Sequence, residues 1–166
     1  MRDTILDPTV GRIDPRAEAL MFAAARAHLV STVIRPALES GTVVLCDRFV
    51  DSSVAYQGVA RGLGEQDVLT LNAWATQGLF PDMVILLHLE PETGLARAGD
   101  EPDRIESENI EFHAKVADAY LKIAEESPDR FRVVDASGTT EEVAKRVQAV
   151  LDEALEQHGP TAKGST

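Results

Sequence analysis

Short, uniformly apolar runs alternate with helical patterns along the chain, and this alternation limits the fold more than any other feature. Met83–Leu89 (MVILLHL) is the strongest strand pattern, and Thr42–Cys46 and Phe131–Val134 are the other two. The short β-branched run Thr42–Cys46 predicts a buried strand. Strands of this kind separated by helices predict an α/β fold with a parallel sheet flanked by helices.

The helices are predicted from apolar spacing and from their end signals. Asp14 followed by Pro15 is typical of an N-cap and a first helical position, and the helical pattern continues to about Glu39. Pro36 predicts a kink or a shortened end, and Gly41 predicts a stop. Further helices are predicted over residues 66–75, after Glu90, over residues 109–126 and from Thr140 onward.

Composition excludes several classes of protein. A length of 166 residues with 44% hydrophobic residues predicts one domain with a core, which we place at residues 1–158 with a flexible tail at 159–166. No apolar run approaches the ~20 residues of a membrane span, and a net charge of −12 argues against nucleic-acid or membrane-surface binding. The single cysteine, Cys46, forms no internal disulfide, which favours the reducing cytoplasm.

A charged pair, Asp47 and Arg48, directly follows the predicted strand at 42–46. Ligands of parallel sheets bind at the carboxyl ends of the strands. The guanidinium of Arg48 offers a planar fork of donors that matches a phosphate, and Asp47 could hold Mg²⁺ through water. The pair could instead brace a loop.

Polar side chains continue after the charged pair. The amide of Gln57 could read the edge of a nucleotide base. Ser52 or Ser53 could alternatively cap a helix that starts near Val54.

Four blocks of the sequence, in this order, resemble the bacterial type of thymidylate kinase (dTMP kinase), a P-loop nucleoside monophosphate kinase. The DR dipeptide followed by AYQG is the most specific of these signals, and the resemblance extends to about Leu155. A different monophosphate kinase fits these blocks less well. The blocks are EALMFAAARAHLV with VIRPAL, CDRFVDSSVAYQGVARGLG, PDMVILLHLEPETGLAR and DRIESENIEFHAKVADAYLKIA.

The resemblance implies ATP-dependent phosphorylation of dTMP to dTDP with Mg²⁺, in a cytoplasmic homodimer that uses the helix from Asp14. It implies that Phe22 stacks on thymine and that Arg26 reads the base edge, although the two residues could instead be a core and a surface side chain. It also places Arg48 on the acceptor phosphate and Asp47 near the metal ion. The remaining wall of the nucleoside site is assigned to Ser53, Tyr56 and Gln57.

The segment from Arg97 to Arg104 matches the lid of the family. The resemblance implies that these two arginines stabilise the transferring phosphoryl group. Without the family match, the same residues would be interpreted as a solvated charge cluster.

The sequence departs from the family in one respect, since it contains neither GxxxxGK[ST] nor an EPGGT-like block. The resemblance therefore implies a sheet without its N-terminal P-loop strand, in a chain that begins about fifty residues late. A start codon assigned too far downstream would explain this. The three remaining strands are expected to pair with each other, to recruit another chain or to stay partly open.

Two hypotheses of function remain. The first is a dTMP kinase whose 166 residues are inactive by themselves. The second is a non-catalytic remnant that binds a nucleotide or a partner.

Overall fold

The computed structural model describes residues 5–97 and 102–157. The predicted tail at 159–166 and residues 98–101 of the predicted lid lie outside these ranges. Two π-helical segments occur, of which Val30–Ile34 joins α1 to α2 and Val54–Ala60 extends α3. The elements are α1 (Pro15–Leu29), α2 (Arg35–Glu39), α3 (Val50–Ser53), α4 (Glu65–Thr76), β1 (Val84–His88), α5 (Pro91–Arg97), α6 (Ile110–Glu126), β2 (Phe131–Asp135) and α7 (Thr140–Gln157), with a 3₁₀ turn at Pro8–Val10.

The first long helix begins and ends where the sequence predicts. The Asp14 carboxylate accepts a hydrogen bond from the Arg16 amide at 2.9 Å and so caps α1. Pro36 lies inside α2, directly after the π-helical turn, and the helix continues past it to Glu39. Gly41 then takes a φ of 79° that other residues rarely adopt, which ends the helix.

The sheet has two strands in the described part of the chain. β1 and β2 pair in parallel, with Val84 opposite Phe131 and His88 opposite Asp135. These are two of the three predicted strands. The prediction of a strand at Thr42–Cys46 is wrong, because this segment has no regular structure and leaves Leu45 96% exposed. No strand within residues 5–97 and 102–157 lies beside it to complete its backbone hydrogen bonds, and β-branched residues alone do not make a strand.

The core lies between α6, the sheet and the α3 extension. Phe112 and Ile123 of α6 pack with Val50, Ala55 and Phe131 in one buried cluster. α6 forms over the predicted range, and the Asn109 side chain caps it by accepting a hydrogen bond from the Phe112 amide at 2.9 Å. The core therefore holds the α3 extension firmly against the rest of the molecule.

Gly58 allows the α3 extension to approach the start of α4. A Cβ atom at Gly58 would lie 3.2 Å from the Cα of Glu65, a backbone atom that cannot move aside easily. The glycine that follows AYQ in the sequence is thus required by close packing.

The continuous helix Pro15–Glu39 is long and apolar enough, by length and composition, to cross a membrane. This differs from the expectation that no apolar run approaches the length of a membrane span. A core helix of a globular protein meets the same criteria, and two charged residues of this helix, Glu18 and Arg26, are buried against other helices of the chain.

Candidate functional site

Two stripes of polar and aromatic side chains on neighbouring helices face each other. One stripe lies on α1 and the other on the α3 extension, and in each the residues are four apart, so that they share a helix face. We call this arrangement the α1–α3 wall. Its members are Glu18, Phe22 and Arg26 on α1, and Ser53, Gln57 and Arg61 on and just after the α3 extension.

Arg26 connects the two stripes at one end of the wall. Its Nη2 donates hydrogen bonds to Ser53 Oγ and to the carbonyl oxygen of Phe49, both at 3.0 Å. Its Nη1 donates to the Asn72 carbonyl oxygen, and the Asn72 amide in turn donates to Val68 O at 2.8 Å. Arg26 is only 8% exposed, so the interpretation as a surface arginine is wrong. Burial lowers the pKa of Arg26 to about 10, which leaves it charged at neutral pH.

Glu18 connects the stripes at the other end and is 1% exposed. Its carboxylate accepts a hydrogen bond from Gln57 Nε2 at 2.9 Å and another from Arg104 Nη2, and it lies 3.4 Å from Arg61 Nε. Burial raises the pKa of Glu18, but the hydrogen bonds from Gln57 and Arg104 and the charge of Arg61 outweigh burial and hold the pKa below its ordinary value.

Phe22 lies between these two connections on α1. Its ring is half-buried and packs against the main hydrophobic cluster. One part of the side chain therefore contributes to the core while another part remains accessible, and stacking on a base stays a prediction.

Arg48 lies beside the wall and is an exposed residue. Its guanidinium carbon is 5.2 Å from the centroid of the Tyr56 ring, which is within the range of a cation–π contact. Tyr56 in turn meets Phe112 of the core edge to face, with 6.1 Å between ring centroids. Arg48 also has a φ of 62°, an unusual value for a residue with a side chain. The structure thus holds a cation beside an aromatic ring, open to an anionic ligand.

Asp47 is exposed next to Arg48. Residues 5–97 and 102–157 contain no group of three or more His, Cys, Asp or Glu side chains that could hold a metal ion by themselves. A single carboxylate nevertheless suits Mg²⁺, which commonly takes one or two carboxylates and completes its coordination with water and substrate phosphates.

The two predicted lid arginines have different neighbours. Arg104 belongs to the α1–α3 wall through Glu18, and its Nε donates to Ile5 O at 2.7 Å. The guanidinium of Arg97 donates instead to the carbonyl oxygens of Ala136 and Gly138, at 3.0 and 3.1 Å, beyond the carboxyl end of β2. The structure therefore joins Arg104 to the wall and leaves Arg97 at the sheet.

Sequence reasoning missed the residues that orient the wall, Glu18 and Asn72. The four-residue spacing within each stripe was the available signal for Glu18. The capping prediction for Ser52 and Ser53 is wrong, because the helix already begins at Val50. Ser53 accepts from Arg26, and Ser52 accepts from Tyr120 Oη at 2.6 Å.

The α1–α3 wall has the chemistry of a site for a flat heterocycle that carries a phosphate. A half-buried aromatic ring offers a stacking surface. An oriented guanidinium and an oriented amide stand on either side of it, and an exposed arginine lies beside them.

Comparison with known proteins agrees with this chemistry. A family model described as "Thymidylate kinase" matches residues 1–147. The chain is similar to the thymidylate kinase of Leifsonia xyli subsp. xyli, with 55% identity over 145 residues that cover 86% of this chain and 69% of the relative. It is also similar to the thymidylate kinases of Bacillus licheniformis, at 43% identity over 95% of this chain and 76% of the relative, and of Lactobacillus helveticus, at 47% over 93% and 75%.

Proposed function

We propose, because the chain belongs to the thymidylate kinase family, that it takes part in the phosphorylation of dTMP by ATP. In this proposal the α1–α3 wall binds the acceptor nucleotide. The observation that carries this proposal is the wall itself. It brings Phe22, Arg26, Ser53 and Gln57, four residues predicted to contact the nucleoside, to one place.

Each residue of the wall has a proposed role in holding the nucleoside. Phe22 stacks on thymine, and Arg26 donates to the base edge from a guanidinium that Ser53 and Asn72 already orient. Tyr56 closes the side near the deoxyribose. Because these groups are fixed before the ligand arrives, little freedom is lost on binding.

Arg48 is proposed to bind the phosphate of dTMP, and Asp47 to hold Mg²⁺ through water. When bound, the metal ion neutralises charge on the phosphates. The attacking atom is a phosphate oxygen that is already anionic, so no side chain needs to remove a proton from it. Arg104 and Arg97 are proposed to approach the transferring group from the lid, which for Arg104 requires release from Glu18.

The residues of this chain do not fit the triphosphate of ATP in the same way. A P-loop binds the β- and γ-phosphates with a row of backbone amides and a lysine. No GxxxxGK[ST] occurs in the 166 residues. We therefore expect residues 1–166 alone to bind dTMP weakly without phosphorylating it.

A coupled assay for ADP release tests this function. We expect background turnover from residues 1–166 with dTMP and ATP, and measurable turnover after a segment with a strand and a P-loop is fused or added as a separate chain. The matched control is the same segment with its P-loop lysine replaced by methionine.

Three outcomes of this assay are informative. Turnover only with the intact segment supports the proposal. Continued dTMP binding with no turnover under any condition would favour a non-catalytic nucleotide-binding protein. Robust turnover by the unmodified chain would show that our description of the donor site is wrong.

A cytoplasmic homodimer is the proposed assembly. The continuous helix Pro15–Glu39 exposes the apolar side chains of Leu20, Leu29, Val33 and Leu38, part of which a second copy would cover. Sedimentation equilibrium at micromolar concentration tests this, and a monomer throughout would contradict it.

A further inference from the structure

The amide of Gln57 can take only one orientation. Gln57 is 2% exposed, and its side-chain nitrogen lies 2.9 Å from Glu18 Oε1. A carboxylate accepts hydrogen bonds and donates none, so the NH₂ group must face Glu18. The carbonyl oxygen of Gln57 must then point the other way. The hydrogen bonds and charges that keep Glu18 ionised therefore fix the amide as well.

That carbonyl oxygen is available to a ligand. Within residues 5–97 and 102–157 it accepts no hydrogen bond, because the only side-chain hydrogen bond of Gln57 is the one to Glu18. The same residues contain no side-chain polar atom that is sealed from solvent and lacks a partner. The oxygen must therefore reach an opening. A carbonyl in so buried a side chain is stabilised by a donor that enters this opening.

Gln57 lies on the α1–α3 wall, opposite the stripe of α1. Glu18 and Arg26 lie on either side of Phe22 along one face of α1, and both contact the facing stripe. A base stacked on Phe22 would therefore present its edge between the guanidinium of Arg26 and the amide of Gln57.

We infer that Glu18 is a positioning residue that determines base specificity, because it makes Gln57 present a hydrogen-bond acceptor to the N3 position of a pyrimidine. Thymine and uracil carry an N3–H donor there, which this acceptor binds. Cytosine carries an acceptor at N3, so two acceptors would face each other. This inference rests on the proposed function, since it assumes that the wall binds a pyrimidine nucleotide.

Calorimetric titration of residues 1–166 with dTMP and with dCMP tests the inference. The quantity of interest is the ratio of the two affinities, because contacts to the shared phosphate and sugar cancel in it. We expect the wild-type chain to prefer dTMP. Glu18→Gln should lower the ratio about tenfold, because an amide at position 18 can donate as well as accept and allows Gln57 to turn over.

Two matched variants separate orientation from stability. Glu18→Asp keeps a group that only accepts hydrogen bonds, so most of the preference for dTMP over dCMP should remain. Asp51→Asn makes the same change from carboxylate to amide in another buried ion pair, with Arg130, that does not involve Gln57, and it should lower the melting temperature while leaving the ratio unchanged. An unchanged ratio in Glu18→Gln, or an equal loss in all three variants, would overturn the inference.

The outcomes also distinguish this inference from the function on which it rests. A wild-type chain that binds neither nucleotide contradicts the proposed function and the inference together. A wild-type chain that binds both equally contradicts the inference alone. If Glu18→Gln does not fold, the wild-type chain can be titrated with N3-methyl-dTMP instead. An affinity equal to that of dTMP would rule out a hydrogen-bond acceptor of the protein facing N3.

Discussion

The α1–α3 wall and the segment at residues 42–45 are both next to predicted ligand residues, yet they differ in how the chain supports them. In the wall, Glu18, Arg26 and Gln57 are almost fully buried and hydrogen-bonded to residues far away in the sequence. At residues 42–45, Val43 and Leu45 are 91% and 96% exposed. The residues that would hold the nucleoside are thus fixed by contacts within this chain, whereas the side chains of Val43 and Leu45, on the segment that leads to Asp47 and Arg48, lie in water.

This difference separates binding of the base from positioning of the phosphate. The wall can recognise a base because its donors and acceptors are already oriented. Alignment of a phosphate within about 1 Å for transfer requires an equally firm support for Arg48. Four predictions test this difference between the two regions.

The largest effect is expected in the core beneath the wall. Phe112→Ala should lower the free energy of unfolding by roughly 3–5 kcal/mol, because it leaves a cavity among buried side chains. Chemical denaturation measures this. A loss below about 1 kcal/mol would mean that the α3 extension does not depend on α6 for its support.

Glu18→Ala should lower the free energy of unfolding by roughly 3 kcal/mol near neutral pH, since it leaves Arg61 and Arg104 without their buried partner. The pKa of Glu18 in the folded protein lies below the ordinary value of 4.5. The stabilising contribution is therefore fully present above pH 4.5 and is lost as the pH falls through the folded pKa. Denaturation of both proteins across this range should show the difference shrinking with acid, and a constant difference would contradict the assignment.

Arg48→Ala should weaken binding of dTMP by roughly 1.5–3 kcal/mol, because a charge-assisted contact to the phosphate is lost. Binding of thymidine, which has no phosphate, should change little. Calorimetry with the two ligands makes the comparison. Equal losses would indicate that Arg48 supports the loop through its contact with Tyr56.

The smallest effect is expected at residues 42–45. Leu45→Ser should change the free energy of unfolding by less than about 0.5 kcal/mol, because the side chain is already in water. A clear loss of stability would show that this segment is covered in solution, by a second copy or by another chain.

Local signals in the sequence predicted the elements that depend on local interactions. The Asp14–Pro15 start of α1 was predicted from end signals, and Asp14 forms the expected hydrogen bond. β1 was predicted from a continuous apolar run. The run at 42–46 is also largely apolar but forms no strand, because a strand also needs a neighbouring strand, and a single segment does not reveal its neighbour.

Prediction of the site from the sequence has the same limit, because distant partners are not visible in a local segment. Family motifs led to Phe22, Arg26 and Gln57, but the carboxylate that connects the wall looked like an ordinary acidic residue in the first turn of a helix. The partners of Glu18 lie 39, 43 and 86 residues away in the sequence. Only the fold brings such distant residues together, so a single sequence gives no direct sign of the network.

The exposed segment at residues 42–45 also affects how the protein must be handled. An apolar, β-branched segment that pairs with no strand in the described part of the chain can pair with the same segment of another molecule and lead to precipitation. Mutual repulsion between molecules of net charge −12 opposes such contact. Added salt screens this repulsion and acid removes it, so concentrated samples should stay clear longest in dilute buffer at mildly alkaline pH.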